Sequence, residues 1–433
     1  MKPTIQEISA FVRENDVKFI RLAFCDLFGV QKNISILPSE LLRAYHEGIP
    51  FDASAIAGFT DVTESDLFLV PELSTLSALP WRPQQGGVIR FYCDIKRPDG
   101  SIFESDTRAI LKRVMEECRE MDYTCRMGTE CEFYLFKTDE NGAPTSIPLD
   151  SGSYCDVAPL DKGENVRREI CLCLEEMGIT PETSHHEMGS GQNEIDFKTA
   201  DPLEAAENLL TFQTVVRNIS ARNGLSACFL PKPLPDQASS GMHVNLTLLR
   251  DGQNLFASRS EASRQFMAGI LHRSAEMTAF LNPIPNSYTR FGSCEAPKYI
   301  SWSRQNRSQL VRLPSATGQF CRLEMRSPDP AANPYLAIGL ILAAGLDGIQ
   351  KKMTLPAPVN RNLFHKSAAE GLESLPESLR EAITVAAQSD FIAGELPVAL
   401  MNKYFEYQTQ LCHAYENAPD PRAWEREHCF LII

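Results

Sequence analysis

The chain has 433 residues and a formal charge of −14 at neutral pH, enough length for two or three domain-sized units. Nucleic acids and membrane surfaces are polyanionic and favour basic partners, so this charge balance excludes both and points to chemistry on small molecules. Thirteen cysteines form no C-x-x-C pair, and their odd number cannot be fully paired within one chain, which implies a reducing, cytoplasmic setting.

In chain order, the N-terminus lacks a basic segment followed by an apolar one, so no signal peptide is expected. Residues 1–100 read as short strands and turns. Segments 17–24 and 88–93 have the β-branched and aromatic content of strands, and Pro98, Asp99 and Gly100 form a turn signal. A helix is expected over 107–121 with Asp106 as its N-cap. The domain boundary is placed just before it, giving units 1–103 and 104–433. Beyond it, strands alternate with helices over 165–177, ended by Gly178, and over 376–388. Between these lies a helix capped by Asn333 with Pro334 in its first turn; its apolar run, 335–346, is too short to span a bilayer. Cys171 and Cys173 read as packing residues within a helix.

Strand periodicity gathers the chemistry, because side chains two apart on a strand share a face. Glu130 and Glu132 point one way, with Cys131 and Phe133 behind. Arg322, Glu324 and Arg326 share a face, as do His243, Asn245 and Thr247. With Glu187 and Glu194, five carboxylates and one imidazole can converge in one cleft. Carboxylates so close raise one another's pKa unless a cation compensates. An oxygen-rich set suits magnesium or manganese better than zinc. Neither common nucleotide fingerprint is present. Six arginines near these ligands (Arg290, Arg304, Arg307, Arg312, Arg322 and Arg326) nevertheless match phosphate and carboxylate geometry. Metals beside an arginine clamp suggest phosphoryl transfer.

Ordered motifs sharpen this reading: FCDLFG at 24–29, FDASAI at 51–56, GTECEF at 128–133, GQNE at 191–194, SGMH at 240–243, NSYTR at 286–290, NRS at 306–308 and RLEMR at 322–326. Through them the chain resembles type I glutamine synthetases along nearly its whole length. The resemblance implies an α+β fold with a small β-grasp-like N-terminal domain. The larger catalytic domain would carry a curved antiparallel sheet flanked by helices, forming a funnel between adjacent subunits. It also implies a homo-oligomer, a dodecamer of two stacked hexameric rings. The implied reaction is ATP-dependent ligation of ammonia to the γ-carboxylate of glutamate through γ-glutamyl phosphate, giving glutamine, ADP and phosphate.

Carried over residue by residue, Glu132, Glu187 and Glu194 match the ligands of the metal that organises glutamate. Glu130, His243 and Glu324 match those of the metal that holds the ATP phosphates. Two or more Mg2+ or Mn2+ ions are implied. Arg290 and Arg326, with the backbone at Ser239, would bind glutamate. Arg307, Arg312 and Arg322 would neutralise the transferring phosphoryl group and ADP, with Asn245 and Thr247 on the nucleotide side. Asp52 of a neighbouring subunit would hold ammonium, and Glu295 would close over the intermediate and accept a proton.

The family pattern changes at Ala53 and Ala55, at Ala238 and Ser239, at Asn245 in place of a second histidine, and at Gln319 in place of a lysine. Substrate affinity is expected to shift there. Phe364 stands where some members carry an adenylylated tyrosine, so no regulation by adenylylation is expected. One alternative is a γ-glutamyl-amine ligase using a small organic amine, opposed by retention of Asp52 and Glu295. Another is a non-catalytic ring-forming paralog, opposed by the complete ligand set. The apolar segment 429–433 is expected to dock between subunits.

Overall fold

The computed structural model describes residues 3–81, 86–293 and 296–430. Two sheets organise them. The first contains β1 (Val17–Cys25), β2 (Gln31–Ile36), β3 (Ile49–Asp52), β4 (Asp66–Pro71), β5 (Ser77–Ala78) and β6 (Gly87–Lys96). Its strand order is β2-β1-β6-β4-β3, with β5 on β6. Strand β1 runs parallel to β6 and the other pairs are antiparallel.

Alternation along β1 gives it two jobs. Ile20, Leu22 and Phe24 enter the N-terminal core with Phe91 and Ile95. Ala23 and Cys25 face the larger core with Tyr92, Ile110 and Leu111. Two helices within the first hundred residues depart from the expectation of strands and turns: α1 (Ile5–Glu14) and α2 (Leu41–His46). Helix α1 opens on a capping box in which Thr4 and Glu7 satisfy each other's backbone N–H groups.

The second sheet contains β7 (Thr124–Thr138), β8 (Pro144–Pro148), β9 (Pro181–His186), β10 (Gln192–Phe197), β11 (Leu225–Cys228), β12 (Met242–Arg250), β13 (Gln253–Asn254), β14 (Trp302–Arg304), β15 (Val311–Leu313) and β16 (Leu323–Met325). The order is β14-β15-β16-β12-β7-β10-β9, with β8 and β11 on the far half of β7 and β13 on β12. The sheet is curled and antiparallel except for the parallel pair β14–β15.

Helices α3 (Thr107–Glu120), α4 (Glu164–Glu176), α5 (Pro202–Arg222), α6 (Glu261–Leu281) and α7 (Pro334–Gln350) flank it, followed by α8 (Leu379–Ala387), α9 (Asp390–Glu395), α10 (Val398–Glu416) and α11 (Pro421–His428). Asp106 caps α3 and Asn333 caps α7, as expected. The 376–388 helix starts later, at Leu379, because Ser378 supplies its cap. Helix α7 is buried almost throughout. It approaches α6 so closely that a Cβ at Gly345 would meet the Phe266 ring at 2.2 Å.

At the C-terminus, Cys429 and Phe430 pack within their own chain against Phe136, Cys228 and Ile284. The apolar tail is therefore anchored intramolecularly as far as residue 430, because Phe430 finds an aromatic partner in Phe136 at 5.1 Å between ring centroids. Residues 431–433 lie outside the described residues. Among the described residues, no helix is long and apolar enough to cross a membrane.

Candidate active site

Strand β7 sets the floor of the funnel. Cys131 and Phe133 are fully buried behind it, so Glu130 and Glu132 take the opposite face. Cross-strand register then builds three rows, in which directly opposed residues stand about 5 Å apart. His185, Glu194 and Glu132 form one row across β9, β10 and β7. Thr183, Asp196, Glu130 and His243 form the next. Gly128, Asn245, Glu324 and Arg312 form the third.

Two groups of metal-type ligand atoms result, each with its atoms within 4.8 Å of one another: Glu130, His243 and Glu324, and His185, Glu187 and Glu194. In the first, His243 Nδ1 lies 3.3 Å from Glu130 Oε2 and 3.8 Å from Glu324 Oε1. Asn245 Nδ2 donates to Glu130 Oε1 at 2.7 Å. Burial alone would raise the Glu130 carboxyl, but His243, Asn245 and Arg322 outweigh it and hold it at about 2.

In the second group, His185 Nε2 lies 3.0 Å from Glu187 and 3.7 Å from Glu194. Glu132 stands beside this group with its carboxylate engaged by Gly241 N at 2.9 Å and Gln192 Nε2 at 3.0 Å. Burial and the neighbouring Glu187 push Glu132 up to about 8. Burial and Glu132 in turn raise Glu194. A divalent cation is the compensation such a set requires, and a mainly carboxylate donor set with one imidazole per group fits magnesium or manganese.

The arginines ring the funnel at different depths. Arg326 is fully buried and donates to Glu324. Arg290, 1% exposed, donates Nη1 to the Ser327 carbonyl at 2.8 Å, with Asp329 at 3.9 Å. Arg312 pairs with Glu324 at 3.1 Å, and Arg322 Nε donates to Asn245 Oδ1 at 2.8 Å. Thr247 reaches the Cys321 carbonyl at 3.5 Å. Arg307 and Arg304 are exposed, Arg307 in a turn and Arg304 on β14. Ser239 is buried and its carbonyl accepts from Gln192 Nε2 at 3.1 Å. Gly241 gives the site its tight approach, since a Cβ there would meet Arg290 Nη2 at 3.0 Å and His243 Nε2 at 3.1 Å.

Two anticipated acids stand apart. Asp52 lies at the exposed end of β3 and accepts from Ser54 N at 3.0 Å and Ser54 Oγ at 2.6 Å. Among the described residues it makes no hydrogen bond or ion pair with the funnel of its own chain. Glu295 lies outside the described residues.

Other participants received no role in the sequence reading. His185 and Asp196 were accessible to the same alternation, two positions from Glu187 and Glu194 respectively. Behind them lies a buried layer in which His186 stands out in the sequence beside Glu187, but its partners had no local signal. Asp150 accepts from His186 Nε2 at 2.9 Å, Gly191 N at 2.9 Å and Lys162 N at 2.9 Å. His186 Nδ1 in turn lies 2.6 Å from the Glu187 carbonyl. Arg167, clamped by Asp161, donates to Asn193 Oδ1 at 2.6 Å. These bonds fix the backbone that presents Glu187 and Glu194.

Comparison with known proteins is consistent along the chain. The profile described as "Glutamine synthetase, beta-Grasp domain" matches residues 16–98, and "Glutamine synthetase, catalytic domain" matches residues 104–428. A glutamine synthetase from Clostridium saccharobutylicum is 44% identical over 434 residues, covering 96% of this chain and 98% of that protein. One from Methanosarcina mazei is 44% identical over 412 residues, covering 93% and 92%. Among solved structures, one titled "GmaS/ADP complex-Conformation 1" superposes with a TM-score of 0.88 at 28% identity, covering 99% of each chain.

Proposed function

The chain belongs to the glutamine synthetase family, and from that premise we propose that it ligates ammonia to the γ-carboxylate of glutamate at the expense of ATP. The observation that carries the reading is the convergence of three cross-strand rows that place Glu130, His243 and Glu324 beside His185, Glu187 and Glu194. The organic-amine alternative is not favoured, since relatives 42–44% identical over nearly the full chain are glutamine synthetases.

The family uses ATP and divalent metal. In our reading, Glu130, His243 and Glu324 hold one Mg2+ or Mn2+, and Glu132, Glu187 and Glu194 a second, with His185 alongside. When bound, these ions neutralise phosphate oxygens and polarise the reacting carboxylate. Arg290 and Arg326 orient glutamate through its carboxylates, and the Ser239 carbonyl accepts from its amino group. The γ-carboxylate oxygen attacks the terminal phosphorus of ATP, and ADP leaves. Arg307, Arg312 and Arg322 neutralise the charge on the transferring group and ADP, with Asn245 and Thr247 lining the nucleotide side.

Ammonium is not a nucleophile. Asp52 of the adjacent subunit attracts it and favours its deprotonation, and Glu295 closes over the intermediate and accepts the further proton that the nitrogen sheds after attack. The ammonia nitrogen then bonds the γ-carbonyl carbon and phosphate leaves. Closure over the acyl phosphate keeps water from hydrolysing it.

We place the domain division at residue 103, the protein in the cytoplasm, and the active sites between subunits of a dodecamer. The decisive assay follows phosphate release from ATP with magnesium and glutamate, comparing ammonium with methylamine, ethanolamine and putrescine, with the amide identified by mass. Ammonium-dependent glutamine formation is expected. A preference for an organic amine overturns the acceptor assignment, and silence with all four overturns the enzyme.

A further inference from the structure

A cavity of about 620 Å³ opens at the seam between the first sheet and helices α3 and α5, away from the catalytic rows. That volume lies in the range of small-molecule sites. Strand β6 explains its chemistry. Ile89, Phe91, Cys93 and Ile95 enter the N-terminal core, so Arg90, Tyr92 and Asp94 face the helices. Asp94 is satisfied by Arg108 and Lys112, and Arg108 also meets Glu207 at 2.9 Å.

Arg90 is different. It is 6% exposed, and its Nη1 donates to Tyr92 Oη at 3.1 Å and Thr211 Oγ1 at 2.9 Å. Its guanidinium sits 4.0 Å over the Tyr92 ring. All these partners are neutral. Its Nε has no hydrogen-bond partner, and among the described residues no carboxylate lies within ion-pair distance of it. Glu207 attracts it from beyond ion-pair distance but is itself bound by Arg108, so no carboxylate touches the fork of this buried guanidinium, and a ligand carboxylate matches it.

The opposite charge lies along the same wall. Glu204, Asn208 and Thr211 all line the cavity from α5, and their i, i+4, i+7 spacing puts them on one stripe. The Glu204 N–H donates to Asp201 Oδ1 at 3.1 Å, while its carboxylate, attracted by Arg126, makes no ion pair or hydrogen bond among the described residues. From Glu204 to Thr211, where Arg90 is held, the helix rises about 10 Å. That separation exceeds the spacing of charges in an α-amino acid backbone. The lining carries the carboxylates of Glu72, Glu116, Asp201, Glu204 and Glu207 against the cations Arg90, Arg108, Lys112 and Arg119, a net negative wall that disfavours a dianionic phosphate more than a zwitterion.

We propose that this seam cavity binds a small ω-amino carboxylate, its carboxylate on Arg90 and its ammonium toward Glu204. The site shares no residue with the catalytic funnel, so it stands independently of the ligase reading.

The test is calorimetric titration of the full-length assembled protein with 4-aminobutanoate and 6-aminohexanoate, against butanoate, butylamine and inorganic phosphate. One amino carboxylate per chain is expected, weakened roughly tenfold or more by Arg90→Gln and also by Glu204→Gln. Glutamine formation on the same preparations should remain at the wild-type level, separating loss of this site from loss of the active site. No binding to the wild type, or binding unchanged in both variants, overturns the proposal. Butanoate or phosphate binding as tightly as the amino carboxylates overturns the ligand class. If Arg90→Gln fails to assemble, the exposed Glu204→Gln variant carries the test, and unchanged affinity there overturns it.

Discussion

At the residue scale, the funnel is defined by charges that require one another. Glu324 is 1% exposed and meets Arg312, Arg326 and His243 at once. Glu324→Gln keeps its size but removes a charge on which the buried Arg326 and the partly buried Arg312 depend. Turnover should fall by more than the roughly 10- to 100-fold typical of changes outside the ligand shell. Mn2+ is expected to raise the thermal stability of the wild type, and this rise should shrink in the variant to the share of the Glu132, Glu187 and Glu194 site; a variant that gains the full rise refutes the ligand role. Gly241→Ala tests a different contact. Its Cβ would crowd Arg290 and His243 at 3.0 and 3.1 Å, so the KM for glutamate should rise severalfold. Steady-state kinetics that show the rise in the KM for ATP alone would place Arg290 away from glutamate.

Among secondary-structure elements, helix starts couple the two sheets to the site. Asn333 caps α7 by accepting from Tyr335 N and Leu336 N, and its Nδ2 donates to the Leu27 carbonyl at 3.1 Å. The same side chain thus fixes the buried helix and the loop after β1. Asn333→Ala should destabilise the fold by about 1–2 kcal/mol for the cap, plus the cost of the orphaned Leu27 carbonyl. Denaturant unfolding measures it.

Asp106, which caps α3, has a titration consequence. Burial lifts its carboxyl from the usual 3.8 to about 6, against bonds from Ile95 N and Arg108 N that favour the charged form. Because the folded value exceeds the unfolded one, the folded chain holds the extra proton between these two values. Stability from this group is present below about pH 4 and is lost as pH rises through 6, by about 3 kcal/mol in all. Relative to wild type, Asp106→Asn should therefore gain stability steadily from pH 4 to pH 7. A constant difference between the two unfolding curves across that range would contradict the shift.

For the whole molecule, the position of Asp52 carries the main consequence. It is exposed, held by its own turn and, among the described residues, unconnected to its chain's funnel, as a residue serving an adjacent subunit would be. Mixed oligomers of Asp52→Ala and Glu324→Gln chains should recover activity that neither parent has. Random assembly leaves about a quarter of the sites with both groups intact. Activity assays on co-expressed and separately purified chains measure this, and no recovery in verified mixed oligomers would place Asp52 in its own subunit's site.

Much of this architecture is readable from neighbouring residues. Alternation in 128–133, 242–248 and 322–326 picks out the functional faces, and Asp106, Asn333 and Pro334 announce their helices, because side-chain period and capping act within a few residues. Helix α1 was missed although Thr4 and Glu7 encode its capping box, since the strand signal that follows dominated the segment. Other features arise only on folding. Glu132 meets Glu194, and Glu130 meets His243, through strand register. Asp150 finds His186 across 36 residues. Arg90 meets the hydroxyls of Tyr92 and Thr211 instead of a carboxylate only because β6 turns that face toward α5. Pairing partners, desolvation and the resulting protonation states depend on which distant segments close on one another, and local pattern carries no record of that closure.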